Sequence, residues 1–223
     1  MRQLQQSSGS GCRKYGILAF GVLWTAISCC TLVPIIVAVG GTSFAALAND
    51  PVSGLITLLA GVGFPLVFGG VFVVIGLVFI VVGLKPIVAG TKVTRPEVAV
   101  SNDSLRSGDE FTLDYRQTFK SGTDVERITV QLILREWARY RRGTDTVTVT
   151  HDHVIQAFET PARRFEGGET FSDRRRMVIP RGAMHTFQAT RNKLLWLVKV
   201  KVEIKSWPDF EEEYSITVLP EMA

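Results

Sequence analysis

The sequence predicts two transmembrane α-helices followed by an all-β antiparallel sandwich, and three observations carry that prediction. Between Tyr15 and Leu84 there is a single charged residue, Asp50. From Thr91 onward, 21 Lys/Arg balance 20 Asp/Glu, an ordinary composition for a water-exposed domain. That second part alternates apolar and polar residues with a period of two, the mark of half-buried strands.

The formal net charge of +4 comes mainly from Arg2, Arg13, Lys14 and Lys85, which flank the apolar part. Basic residues beside apolar spans read as topology signals, not as a nucleic-acid surface. All three cysteines, Cys12, Cys29 and Cys30, lie in or just before the first span. The β domain therefore has neither a disulfide staple nor a cysteine nucleophile, which fits a reducing compartment.

The expected organisation is a basic N-terminus (1–14), a first helix (15–40), a short external loop (41–51), a second helix with a lead-in (52–85) and a β-sandwich (91–220). The first span holds 25 uncharged residues from Tyr15 to Val39, enough to cross a core of roughly 30 Å. It far exceeds the roughly 7–15 residues of a signal-peptide apolar region, so it reads as retained. The second runs 33 residues without a charge from Val52 to Leu84, about 50 Å as one straight helix. Pro65, preceded by Gly61 and Gly63, is the expected break.

Orientation follows from the flanks. Segment 1–14 carries Arg2, Arg13 and Lys14, and Lys85, Lys92 and Arg95 follow the second span, whereas 41–51 has no Lys or Arg. The positive-inside rule then puts both termini in the cytoplasm, giving a multi-pass protein of the cell membrane.

Gly69, Gly76 and Gly83 recur every seven residues and share one helix stripe. Small residues let helix backbones approach closely. The expected partner is the first helix, with a second subunit, including another copy of the chain, as the alternative.

In the second part, Phe111, Leu113 and Tyr115 alternate with Thr112, Asp114 and Arg116, and Ile128, Val130, Leu132 and Leu134 alternate with Thr129, Gln131, Ile133 and Arg135. The longest run sets Leu194, Trp196, Val198, Val200, Val202 and Ile204 against Lys199, Lys201, Glu203 and Lys205. Tyr214, Ile216 and Val218 repeat the pattern, and shorter strands are expected at 97–100, 146–149, 154–158, 177–179 and 185–189. Seven to nine such strands with no helix-period segment between them argue for an antiparallel sandwich.

The closing stretch, Asn192-Lys193-Leu194-Leu195-Trp196-Leu197-Val198-Lys199-Val200, then Trp207-Pro208-Asp209 and Tyr214-Ser215-Ile216-Thr217-Val218, resembles the last strands of arrestin-like sandwiches. Pro180 and Met184-His185-Thr186-Phe187 fit the preceding turn and strand. The resemblance covers about 177–220 and implies an immunoglobulin/arrestin-like fold in a non-enzymatic scaffold or adaptor. Arrestins pair two such sandwiches and carry no membrane helices, so their two-domain cargo groove does not transfer.

Chemistry-bearing patterns are sparse. His151-Asp152-His153 places two imidazoles on one strand face, and His185 is the only other histidine. A polar strand end explains the pair more simply, so no metal ligand is assigned and no cofactor is expected. Trp207-Pro208-Asp209 resembles the acid loop of tyrosine phosphatases, but that chemistry needs a thiolate. No phosphate-binding glycine loop or nucleophile elbow is present, and Asn102-Asp103-Ser104 matches a glycosylation sequon.

Three arginine clusters, Arg135/Arg139/Arg141/Arg142, Arg163/Arg164 and Arg174/Arg175/Arg176, would bind lipid headgroups if they converged toward the bilayer. The candidates are Arg139, Arg141, Arg142, Arg174, Arg175 and Arg176; solvated faces and loop charges explain the clusters more simply. The expected function is a membrane-anchored, non-enzymatic protein whose cytoplasmic sandwich binds an unidentified protein partner. The alternatives are an accessory subunit assembled through its helices and a metal-dependent enzyme using His151, His153 and His185.

Overall fold

The computed structural model describes residues 2–4, 10–102 and 104–221. The side chains of Cys12, Arg13 and Lys14, and Asp103 of the sequon, lie outside the described residues. The chain forms two compact units: Gly11–Lys85, and Pro86–Ala223 together with the N-terminal residues.

The first unit is helical. Helix α1 spans Ser10–Asn49, α2 spans Pro51–Leu58, a π-helical turn follows at Leu59–Gly63, and α3 spans Phe64–Lys92. The stretches Tyr15–Thr42 and Pro51–Lys92 are long and apolar enough to cross a membrane. The loop expected over 41–51 is instead helical as far as Asn49, and the connection narrows to Asp50. Ala45, Ala46, Leu47 and Ala48 are strong helix formers and carry α1 onward. Asp50, in extended conformation, then caps α2: its carboxylate accepts from Val52 N at 3.1 Å and from Ser53 Oγ at 2.6 Å, with Pro51 in the first turn.

The break expected at Pro65 lies one turn earlier. Pro65 has no N–H to give the Gly61 carbonyl, and the wider turn absorbs this, with Phe64 N donating to Leu59 O. The bridge expected at 86–91 is also helical, because α3 continues through Pro86 to Lys92.

The second unit is a two-sheet antiparallel sandwich. Strands β1 (Arg2–Gln3), β2 (Glu97–Val100), β3 (Glu110–Thr118) and β7 (Thr170–Val178) form one sheet in the order β1-β2-β3-β7. The other has the order β10-β9-β4-β5, from β10 (Phe210–Ile216), β9 (Asn192–Ile204), β4 (Thr123–Arg142) and β5 (Asp145–Thr160). Short strands β6 (Arg163–Phe165) and β8 (Phe187–Gln188) pair with β4 and β9. The stretches expected separately at 146–149 and 154–158 are one strand, β5, and the strand expected at 185–189 contracts to β8.

The alternation places the core as the sequence implies. Phe111, Leu113 and Tyr115 from β3, Ile128, Val130 and Leu132 from β4, and Trp196, Val198, Val200 and Val202 from β9 are all buried together. Ile133 and Leu197, on the opposite face of β4 and β9, are also buried and stand opposite each other in register.

The polar groups inside this core are paired. Tyr214 Oη donates to Pro96 O at 2.7 Å and to Glu212 Oε2 at 3.2 Å. Gln117 Nε2 donates to Thr94 O at 2.8 Å and Gln117 Oε1 accepts from Tyr115 Oη. Burial, with the Glu212 carboxylate beside it, pushes the Tyr214 phenol above its ordinary 10.0 and keeps it neutral.

The last turns of α3 belong to this unit. Ala89 and Val93 sit in its core. Backbone carbonyls at a helix end lack internal partners, and here the sandwich supplies donors. Lys120 Nζ reaches Gly90 O at 2.7 Å and Lys120 N reaches Lys92 O at 2.8 Å, while Trp207 Nε1 adds a 3.0 Å bond to Val88 O, which also accepts from Thr91 Oγ1.

Candidate functional site

The largest departure from a compact sandwich is the β4–β5 hairpin. Its strands pair continuously from Ile128 with Thr160 to Arg142 with Asp145. Thr, Val and Ile make up half of β5, residues suited to an extended ribbon. Two residues, Gly143-Thr144, close it, and Gly143 has φ +63, as a tight hairpin turn with Gly in the first position requires. A bulge at Ile155 lies between the pairs Leu132–Gln156 and Ile133–Val154.

Beyond that bulge the ribbon loses its cover. From Arg139 to Val154 every residue is exposed apart from half-buried Val147. Strand β9 pairs with β4 only as far as Ala138, and β5 has no partner strand but β4 among the described residues. The outer edge of β5 is therefore a row of open backbone groups.

The charges divide along this ribbon. At its root, Arg135 on β4 forks between two carboxylates: Nε and Nη2 lie 2.6 and 2.7 Å from Asp152, and Nη1 and Nη2 lie 2.7 and 2.8 Å from Glu213. Such bidentate bonds are among the stronger ones, and they hold the Asp152 carboxyl below its ordinary 3.8. At the tip, Arg139, Arg141, Arg142 and Arg191 form no ion pair among the described residues, although the Arg139 N–H donates to the Arg191 carbonyl at 2.7 Å. Trp137 and Lys193 are paired in register below them, with the Lys193 ammonium 5.0 Å from the indole centroid.

The two arginine clusters that hold the headgroup candidates, and would bind lipid if they converged, lie on strands of different sheets. Arg139, Arg141 and Arg142 lie at the tip of β4, whereas its first residue, Thr123, follows Gly122, whose carbonyl accepts from Lys92 Nζ at 3.4 Å. Twenty residues of strand at about 3.3 Å each separate those ends by roughly 60 Å. Arg174, Arg175 and Arg176 lie on β7 and are neutralised locally, by Asp114 at 3.0 Å, Asp173 at 2.7 Å and Glu110 at 3.3 Å. Arg174, donating to Asp114, holds that carboxyl below its ordinary range.

The histidines separate similarly. His151 and His153 share a face of β5 with ring centroids 4.4 Å apart, and His153 Nε2 is 3.2 Å from Glu136 Oε1. His185 lies in the segment between β7 and β8. Among the described residues no group of three His, Cys, Asp or Glu side chains is placed to hold a metal ion. Trp207-Pro208-Asp209 forms the turn between β9 and β10, with Asp209 3.2 Å from Lys201 Nζ.

Within the helical unit, the glycine stripe of α3 faces α1. A Cβ on Gly69 would lie 2.1 Å from the Leu32 side chain, one on Gly76 2.2 Å from Thr25 Oγ1, and one on Gly83 2.8 Å from the Leu18 backbone. The α1 partners step back by seven as the glycines step forward by seven, which is an antiparallel seam. Gly21 of α1 repays the contact, since a Cβ there would lie 2.8 Å from Ile80 N. Trp24 Nε1 also donates to Phe72 O at 3.1 Å across the seam.

The exposed hairpin was legible only in part. The Arg135–Arg142 charges hide the end of β4 as a loop, and Gly143-Thr144 just ahead of the Thr/Val run 146–150 is the signal that joins β4 to β5.

No protein-family description matches the chain, and no curated protein is significantly similar to it. Among solved structures, it is similar to the crystal structure of Spo0M, sporulation control protein, from Bacillus subtilis, at 16% identity and a TM-score of 0.47. That likeness covers 57% of this chain and 49% of the other, so the chain spans about half its length.

Proposed function

We propose that this chain is a membrane-anchored, non-enzymatic interaction module, its helical hairpin fixing the location and its cytoplasmic sandwich binding a protein partner through the β4–β5 ribbon. The observation that carries this reading is the ribbon itself: sixteen consecutive residues, Arg139 to Val154, project with an open strand edge and almost no burial. Sheet edges left open in this way are templates for strand addition. The arrestin-like pattern of the closing strands agrees with an adaptor role.

The membrane part of the reading rests on apolar helices whose large side chains, among them Leu23, Val37, Val67 and Val81, are more than half exposed. The placement of both ends on one side draws support from β1, which precedes α1 yet pairs with β2 after α3 through Arg2–Val100 and Gln3–Ala99. Strands sharing one sheet lie on the same side of any bilayer that α1 and α3 cross, and the flanking charges support the cytoplasm as that side.

The accessory-subunit reading keeps the helices as the contact. Its glycine stripe is already occupied by α1, so such a contact would use the outer helix faces instead. Replacing residues 11–85 with an unrelated two-span hairpin separates the two readings, because it preserves β1 and the α3 end that packs into the sandwich. Proximity labelling in the native membrane should recover the same partner from both forms. Loss of that partner on the helix swap would overturn the adaptor reading.

A further inference from the structure

We infer that the β4–β5 ribbon takes an extended acidic protein segment, added as a strand along the open edge of β5 and held by the cationic tip. The inference rests on the interaction-module reading and names the chemistry of its partner. Charge and edge geometry carry it together.

The charge observation is a contrast. In the body of the sandwich, Arg127, Arg163, Arg174, Arg175 and Arg176 each have a carboxylate within 3.5 Å, as Arg135 does at the ribbon root. At the ribbon tip, Arg139, Arg141, Arg142 and Arg191 form no ion pair among the described residues, although Arg142 stands opposite Asp145 in register. Arg139 and Arg141 alternate on β4 with Trp137, so they share its face, and the register places Lys193 there as well. Across the hairpin, the same face carries Thr146, Thr148 and Thr150, paired with Arg141, Arg139 and Trp137. The result is a stripe of cations, hydroxyls and one indole, whose complement is anionic.

The edge observation selects the kind of anion. Outward-facing N–H and C=O groups of β5 between Asp145 and Val154 have no strand partner among the described residues. Only another polypeptide completes a row of that spacing; a lipid headgroup or a nucleic acid satisfies the arginines but not the ladder. In an added strand, alternate side chains fall on the cationic face, so the fitting segment carries Asp or Glu at every second position.

The test uses the full chain in nanodiscs of uncharged phosphatidylcholine. The probes are a fluorescent twelve-residue Glu-Thr repeat and its Gln-Thr counterpart, read by anisotropy. The acidic peptide should bind, the neutral one should bind at least tenfold more weakly, and added salt should weaken the acidic complex. Arg139→Glu with Arg141→Glu should reduce affinity at least tenfold, while Arg139→Lys with Arg141→Lys should retain most of it. Amide exchange within 145–154 should slow on binding, as an added strand requires.

Equal binding of both peptides, or indifference to the double charge reversal, overturns the inference. So does tighter competition by phosphatidylserine vesicles or single-stranded DNA at matched charge, which would assign the tip to those anions. A ribbon shortened by joining Ala138 to Val149 keeps the two failures apart. If it loses the partner labelled in cells while the acidic peptide never binds, the module stands and the acidic strand falls.

Discussion

Trp207 Nε1 donates a 3.0 Å hydrogen bond to the backbone carbonyl of Val88, so the turn between β9 and β10 supplies a partner near the end of α3. The Lys92 ammonium lies 5.4 Å from the same indole ring. A tripeptide that looks catalytic in the sequence is thus a clasp on a helix end. Trp207→Phe keeps the ring and removes the donor, and it should cost about 1 kcal/mol. Thermal unfolding of the full chain in detergent checks this, and an unchanged midpoint would show the bond to be idle.

The helix seam predicts a ranking among glycines. Gly83→Ala meets the backbone of Leu18, which cannot move aside, and should destabilise the helical unit by about 1–3 kcal/mol. Gly69→Ala meets only the flexible Leu32 side chain and should cost less, while Gly70→Ala points into open space and should be close to neutral. Unfolding in detergent followed by tryptophan fluorescence reads the order; a Gly70 variant as damaging as Gly83→Ala would contradict the seam.

Stability should be lost at both ends of the pH scale. Asp152, Asp114 and Glu203 are held below their ordinary values by Arg135, Arg174 and Lys201 respectively. Their contribution is complete above the unfolded values near 4 and disappears as pH falls through the lower folded ones. Tyr115 and Tyr214 are pushed upward, chiefly by burial. Theirs is complete below an unfolded value of about 10 and disappears as pH rises beyond it. Melting midpoints should form a plateau between about pH 5 and 9. Asp152→Asn should flatten the acid limb and Tyr214→Phe the alkaline one.

Topology has a direct readout at the hairpin turn. With Cys12, Cys29 and Cys30 replaced by serine, Thr144→Cys is an exposed thiol on a two-residue turn. In intact cells it should resist impermeant thiol reagents and react after permeabilisation. Labelling before permeabilisation would place the sandwich outside.

Strand faces were readable wherever the period was long. The alternation from Trp196 to Ile204 named the buried side of β9, with Leu197 on the other face buried as well, because burial on one face leaves a pattern in the chain itself. Strand β1 was not readable, since two residues carry no period and pair only because β2 offers an edge. The helix continuing to Asn49 is likewise not marked by any period, because 41–51 is merely the stretch between two long apolar runs; helix propensity and the Asp50 cap decide its structure.

The sequence by itself determined the apolar helices, the break near Pro65, the inward faces of the strands and the glycine spacing, all properties of neighbours along the chain. Tertiary structure alone decided which helix the glycines meet, which arginines have acids beside them, and how far β4 and β5 run past their cover. Those are relations between residues far apart in the chain, as Arg135 and Glu213 are at 78 positions, and ion pairing depends on distance in space. Composition counted the arginines of the two clusters alike; the fold neutralised those on β7 and left those at the tip of β4 with their charge exposed.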